Sequence, residues 1–408
     1  MTAPDADVVI RPVTPEDDFD AQVDLGQRAF GVMTAAQRAD WVYVARHNIG
    51  QGTFLGAFLG GRPVGAAAWH DMRQWWHGRD VPMAGVASVK VAPEHRGKGI
   101  GRRLMTALLE LIAARGYPVS ALYPATMPLY RSLGWELAGG RYEAVIPARS
   151  LRSLLAPDAA VGVAHGAAAE VRRAGPDDAA EVNAVIGRAH EAARDCGPLT
   201  WDLPPTARWL SRDDTYAYLT DDGFAAYRWH GGNDDLFVER IHGTSGDAVR
   251  ALWSVVASHA SVAERIRVRV APDDPFWWLT HERDARLAKR SMWMLRVVDA
   301  PAAIAARGFP AGVSLSVPLV ISDHARPANS GRWQLTVSDG KGILVPNGSG
   351  ILPGASDLTL GARGLAALYS GTPVTTLRLA GLASGGPADA DAALDAAFAA
   401  TTFLVDDF

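Results

Sequence analysis

The sequence predicts an α/β (α+β) chain built from two related α/β units in tandem and a smaller α+β unit behind them. Three observations carry this. Residues 1–150 alternate short apolar strand patterns with segments of helical spacing. The stretch from Val171 to Asp299 repeats the same order of helices and strands. From Ala300 to Phe408, alternating strands mix with helical runs in an α+β pattern. The units are expected at residues 1–150, 151–299 and 300–408, and Ala-, Gly- and Pro-rich residues 151–170 read partly as a linker.

Composition sets bounds on function. The chain has 408 residues, 48% hydrophobic and 21% charged, enough to bury sizeable cores. A formal net charge of −4 argues against a nucleic-acid or anionic-membrane binder. Cys196 is the only cysteine, which excludes an internal disulfide and a thiolate zinc cluster. No apolar run reaches about 18 residues, so no membrane span is expected. Met1 to Asp7 lacks the basic and apolar regions of a signal peptide, so a cytoplasmic protein is expected.

In the first unit, Val8 to Val13 reads as a strand. Thr14 is placed to cap a helix, with Glu16 and Asp17 in its first turn, and Asp18 to Phe30 has helical spacing. Phe54 to Phe58 and Pro63 to Trp69 are strands around Gly60-Gly61. Val86 to Pro93 is a further strand, and Leu104, Leu108, Leu111 and Ile112 form a helical stripe that Arg115-Gly116 ends. Val119 to Tyr123 is a strand, and Met127 to Trp135 is a short helix and turn.

In the second unit, Asp177 to Arg194 is helical. Gly223 to Trp229 and Leu236 to Ile241 are strands joined through Gly231-Gly232-Asn233-Asp234. Ala248 to Ala260 is a helix, and Ile266 to Val270 and Met292 to Asp299 are strands. In the third unit, Val313 to Val317, Trp333 to Val337 and Val374 to Leu379 alternate in strand fashion. Leu360 to Tyr369 and Ala388 to Ala400 are helical.

The chemistry concentrates at Arg96-Gly97-Lys98-Gly99-Ile100-Gly101, between a strand and a helix. Three glycines leave backbone N–H groups uncovered, the helix start adds partial positive charge, and four nearby cations (Arg96, Lys98, Arg102, Arg103) add full charges. Such a turn binds a phosphate or pyrophosphate. A Walker A loop would need Ser or Thr after Gly-Lys, and Gly99 stands there. A dinucleotide fingerprint would need Gly at 102, and Arg102 stands there. The third pattern, [QR]-x-x-G-x-[GA] after V-x-V-x-P, is filled by Arg96, Gly99 and Gly101. It resembles the acetyl-CoA pyrophosphate loop of the GNAT superfamily of N-acetyltransferases. Leu129-Tyr130-Arg131-Ser132-Leu133-Gly134-Trp135 is similar to the Y-x-x-[FL]-G-[FWY] ending of that fold.

The second unit has the same order of elements, but His242-Gly243-Thr244-Ser245-Gly246 replaces the loop, so a copy that does not bind CoA is expected. The third unit resembles a sterol-carrier-like domain and stops on Phe403-Leu404-Val405-Asp406-Asp407-Phe408. An apolar end finishing on an aromatic residue would deliver a main-chain carboxylate to a defined place. Together with Met292 to Ala305, these features resemble the enhanced intracellular survival (Eis) family across essentially the whole chain.

That resemblance implies an acetyl-CoA-dependent N-acetyltransferase acting on a primary amine of aminoglycoside, lysine or polyamine type. Acetyl-CoA, as co-substrate, is expected against Val89 and Val91 with its pyrophosphate on Arg96, Gly97, Lys98, Gly99, Ile100 and Gly101. Tyr130 matches the residue that protonates the leaving thiolate, and the carboxylate of Phe408 matches the base. A homo-oligomer, hexameric by family resemblance, is implied.

Asp24, Phe30 and Trp41 are acceptor-side candidates, because cation–π and carboxylate contacts suit an amine. Trp69-His70-Asp71 and Trp75-Trp76-His77 lack a third ligand at metal spacing and read as packing and surface, so no metal site is expected. Phe276-Trp277-Trp278 with His281 is expected at an interface or in a core. The competing function is a non-catalytic lipid- or protein-binding module, which expects an apolar cavity near Leu315, Leu335 and Leu379.

Overall fold

Small and apolar residues dominate the two longest strands of the first unit, and those strands organise it. The computed structural model describes residues 8–155, 169–232, 234–280, 284–348 and 357–408. Most of the expected linker, Asn233 and His281 lie outside the described residues. The first unit runs β1 (Val9–Pro12), α1 (Phe19–Phe30), α2 (Ala35–Gly50), β2 (Phe54–Leu59), β3 (Arg62–Trp76), β4 (Arg79–Val91), α3 (Ile100–Ala114), β5 (Val119–Leu122), α4 (Met127–Arg131) and β6 (Glu136–Pro147). Leu104, Leu108 and Ile112 of α3 lie on one face and are fully buried against Val86 and Leu122 of the sheet. α2 escapes the hydrophobic pattern because most of it is exposed, yet a Thr34–Gln37 capping box starts it.

The second unit runs β7 (Arg172–Ala174), α5 (Ala179–Ala193), β8 (Cys196–Thr200), α6 (Leu203–Leu210), β9 (Tyr216–Thr220), β10 (Gly223–His230), β11 (Asp235–Gly243), α7 (Gly246–Ala257), β12 (Arg265–Val270), α8 (Phe276–Leu279) and β13 (Arg286–Val297). The two units share one sheet, in the order β1-β2-β3-β4-β5-β13-β6-β12-β11-β10-β9-β7. The last strand of each unit is therefore placed in the other's half. β13 inserts between β5 and β6 (Met294 opposite Leu122), and β6 lies against β12 (Ala144 opposite Val268). Phe276 of α8 is buried, whereas Trp278 is 73% exposed, so only part of that aromatic cluster is core.

The third unit runs α9 (Ala300–Ala306), β14 (Leu315–Ser322), β15 (Gly331–Ser338), β16 (Lys341–Pro346), β17 (Leu358–Gly361), α10 (Ala362–Tyr369), α11 (Val374–Leu379), β18 (Ala383–Gly385), α12 (Ala388–Phe398) and β19 (Phe403–Leu404). Its five-stranded sheet packs into a core shared with Met83, Val119 and Trp293 of the large sheet. Val374 to Leu379, expected as a strand, is a helix. Pro373 at its start supplies a preset φ, and Val374 and Leu377, three residues apart, are the buried pair. The cavity expected near Leu315, Leu335 and Leu379 is not formed by those residues. Leu335 is fully buried in packed core, while Leu379 is 87% exposed. Among the described residues no helix is long and apolar enough to cross a membrane.

Candidate active site

The turn after β4 is shaped by its glycines. Gly97 and Gly99 adopt φ +78° and +76°, where a side chain is strained, and a Cβ at either would meet only open space. Gly99 caps α3 without a side chain, and the first backbone bond into the helix is Arg103 N–H to the Gly99 carbonyl. The amides before Arg103 at this exposed end are thus free to receive an anion. Arg96, Lys98 and Arg102 surround them on the surface. Gly101 packs beneath, within ordinary contact distance of Val91 and of Leu129 on α4.

Two strands part close by. β4 and β5 pair in parallel from Met83–Val119 to Val86–Leu122, where β5 stops while β4 continues to Val91. The pairing of β4 with β3 shifts register between Ala66 and Ala68, and Ser88 adopts φ +56° there. Ala87, Ser88 and Val89 are half-buried along the free edge of this fork. Tyr130 on α4 shares a hydrophobic cluster with Val86 and lies edge-on to Trp135. Burial pushes its phenol up to about 12, so it is fully protonated at neutral pH.

The end of the chain arrives at the same fork. β19 adds to β6 in parallel, with Phe403 opposite Gly140 and Leu404 opposite Arg141. The Phe408 ring lies 5.4 Å from that of Tyr123, the residue after β5. It fits over Gly85 of β4, where a Cβ would come within 3.0 Å of the ring. Tyr123 donates its O–H to the Asp406 carbonyl at 2.7 Å.

A cleft of about 390 Å³ reaches this tail from the other side. On its first-unit side are Asp40, Tyr43 and His47 of α2. β3 contributes His70 and Asp71, in the gap left between its partners β2 and β8. On the second-unit side are Trp201, Asp202 and Arg208, with Arg240, Arg269, Asp406 and Asp407 at the tail end. The cleft arginines carry acidic partners: Arg208 with Asp40 (2.7 Å), Arg228 with Glu239 (3.3 Å), Arg269 with Asp407 (2.6 Å) and Arg240 with Asp406. Asp71 and Asp202 have no ion-pair partner among the described residues, and burial together with Asp71 raises the Asp202 carboxyl. Burial holds His70 down at about 4, neutral at pH 7.

Asp24, Phe30 and Trp41 do not line this cleft. Asp24 pairs with Arg28 on the surface, Phe30 is 63% exposed at the end of α1, and Trp41 packs inward against Phe19 and Phe54. Neighbouring helical residues diverge by about 100°, so Asp40 faces the cleft and Trp41 does not. Sequence reading missed Tyr123, Asp202 and the tail-binding arginines. The available signal was an acidic tail in a chain whose strand Arg265 to Val270 alternates Arg with apolar residues.

Comparison with known proteins matches this architecture. Acetyltransferase (GNAT) domain profiles match residues 9–138 and 198–297, and a sterol carrier protein domain matches residues 300–403. The chain is 31% identical over 335 residues to the N-acetyltransferase Eis of Mycobacterium tuberculosis, covering 78% of each. The chain belongs to the Eis family of N-acetyltransferases. A GCN5-related N-acetyltransferase from Kribbella flavida, 44% identical, superposes on this Eis-family acetyltransferase with a TM-score of 0.90 over 98% of both chains. One from Anabaena variabilis, 25% identical, does so with a TM-score of 0.85 over 98% of this chain and 100% of its own.

Proposed function

We propose that this Eis-family enzyme transfers acetyl from acetyl-CoA to a primary amine of aminoglycoside, lysine or polyamine type, without a covalent enzyme intermediate. One observation supports this most: the tail ends at the β4–β5 fork, with the uncapped glycine turn farther along β4 and the cleft reaching the tail at Asp406 and Asp407. The turn from Arg96 to Gly101 receives the pyrophosphate, and the free edge of β4 at Val89 and Val91 receives the pantetheine arm. The acceptor enters from the cleft. Its cationic groups suit Asp71 and Asp202, which make no close ion pair among the described residues although Arg73 lies near both, and the ring of Trp201.

The amine nitrogen bonds to the thioester carbonyl carbon and the C–S bond breaks. Tyr130 gives its proton to the departing sulfur. The carboxylate of Phe408 takes the proton from nitrogen. A phenol at about 12 gives a proton to a thiolate near 8.5 uphill by roughly 5 kcal/mol, so the transfer must accompany C–S cleavage. A carboxylate near 3.5 is a weak base for an ammonium near 10.4, so its pull is strongest where burial raises it and where it also orients the ammonium. Assembly into a hexamer belongs to the same reading.

The test is thiol release from acetyl-CoA by untagged protein with an aminoglycoside, a lysine peptide and a polyamine. Turnover is expected with at least one. Tyr130→Phe and a chain lacking Phe408 should each lose about 100-fold or more in kcat while acetyl-CoA still binds. Wild-type protein that binds no acetyl-CoA by calorimetry would sink the proposal.

A further inference from the structure

Three guanidinium groups converge on the last four residues, two of them from the second unit. Arg240 of β11 pairs with Asp406, which is 3% exposed. Arg269 of β12 donates to the Val405 carbonyl at 2.8 Å and to Asp407 at 2.6 Å. Arg141 of β6 also pairs with Asp407. Each guanidinium is held against a ring: Arg240 over Trp209 (4.8 Å), Arg269 over Phe237 (5.2 Å) and Arg141 over Tyr123 (5.3 Å). Their side chains are only 11–16% exposed.

Three buried like charges are costly together unless opposite charge enters with them. Burial and the neighbouring Arg141 and Arg240 already lower Arg269. Asp406 and Asp407 supply two of the compensating charges. If the tail swung out, three largely covered cations would be left near one another with Glu239 as the acid that remains beside Arg269. The tail is therefore held by more than the two-residue ladder of β19.

We infer that Arg141, Arg240 and Arg269 form a clamp for an acidic, aromatic-ended peptide segment, and that they are positioning residues which fix Phe408 at the β4–β5 fork. The second unit thereby serves the first: strands that hold no cofactor turn carry the arginines that place its tail. The clamp stands on its own contacts. Its consequence for turnover rests on the proposed role of Phe408.

The experiment is timed carboxypeptidase digestion of the 408-residue chain, with loss of Phe408 followed by mass. Wild type should resist. Arg269→Gln and Arg141→Gln should each release Phe408 at least about tenfold faster, with little change in thermal midpoint. Arg290→Gln, on the exposed start of β13, should match wild type. Asp407→Asn removes the same pairs from the exposed side of the tail, so it covers the case of an arginine variant that does not fold. It should give the same release, and adding it to Arg269→Gln should change little further. Release at the wild-type rate in Asp407→Asn and in every folded arginine variant overturns the clamp. In turnover, Arg269→Gln should lower kcat about tenfold with the KM for acetyl-CoA unchanged. Fast release of Phe408 with undiminished kcat would leave the clamp standing and overturn the role of Phe408 as base.

Discussion

In the first unit eight residues, Ala92 to Gly99, separate β4 from α3, whereas in the second only Thr244 and Ser245 separate β11 from α7. The helix starts differ as much as the lengths. α3 is capped by Gly99, which has no side chain to offer. α7 is capped by Ser245, whose hydroxyl accepts the Ala248 N–H at 3.3 Å. Both ends carry the partial charge of a helix dipole. Gly99 takes none of its helix's first amides, whereas Ser245 takes one. The difference teaches that a helix start which withholds a side-chain cap keeps more amides for an anion than one that a serine caps, and that the shorter junction of the second unit also has no room for the glycine turn.

Breaking the first junction should have the largest effect. Gly99→Val puts a branched side chain at φ +76° and into the open space above the turn, and should weaken acetyl-CoA binding about 100-fold, roughly 2.7 kcal/mol. Calorimetry reads this directly, and unchanged affinity would break the assignment of the turn.

The charge beneath the two junctions offers a second contrast. The arginines of β11 and β12 have acids, but Lys90 of β4, 4% exposed, has no acidic partner among the described residues, only the Gln22 carbonyl at 3.2 Å and the Trp41 and Phe54 rings. Burial lowers it from 10.5 to about 8. Between about pH 8 and 10.5 the unfolded chain binds the proton that the folded chain has lost, so stability should rise with pH in that window. Lys90→Met should stabilise the fold at pH 7 by about 2 kcal/mol and flatten the rise, as urea melts at pH 7 and 9 would report. Equal stability of variant and wild type at both values would show that Lys90 is better compensated than its contacts indicate.

The smallest effect sharpens the comparison from the other side. Ser245→Ala removes a cap and should cost about 1 kcal/mol of stability, with acetyl-CoA affinity within twofold of wild type. A change in that affinity would mean that the second junction takes part in cofactor binding.

What could be read in advance follows from how local each signal is. The turn from Arg96 to Gly101 and the segment from Leu129 to Trp135 are complete within a few residues, so their patterns were visible without the fold. Phe408 was visible as an apolar end. The cleft was not, because Asp40, His70, Trp201 and Arg240 come from four elements that only tertiary packing joins. Val374-Thr375-Thr376-Leu377 has strand-forming residues, yet Pro373 and the burial of Val374 with Leu377 make it helical. The exchange of β6 and β13 has no signature in either strand, since both mix apolar and charged residues and their partners lie far along the chain.

That exchange sets a timetable. β6 ends at Pro147, and the strand that must fill the space beside it begins at Arg286. At about 5–20 residues per second, a ribosome needs roughly seven to thirty seconds to cross the interval. During that wait the nascent first unit exposes the inner edges of β5 and β6, backbone ready to accept any extended partner. Synthesis of this enzyme therefore contains a vulnerable period that no contact in the finished molecule records. Chaperone demand and aggregation in the cell should depend on how fast the second unit emerges.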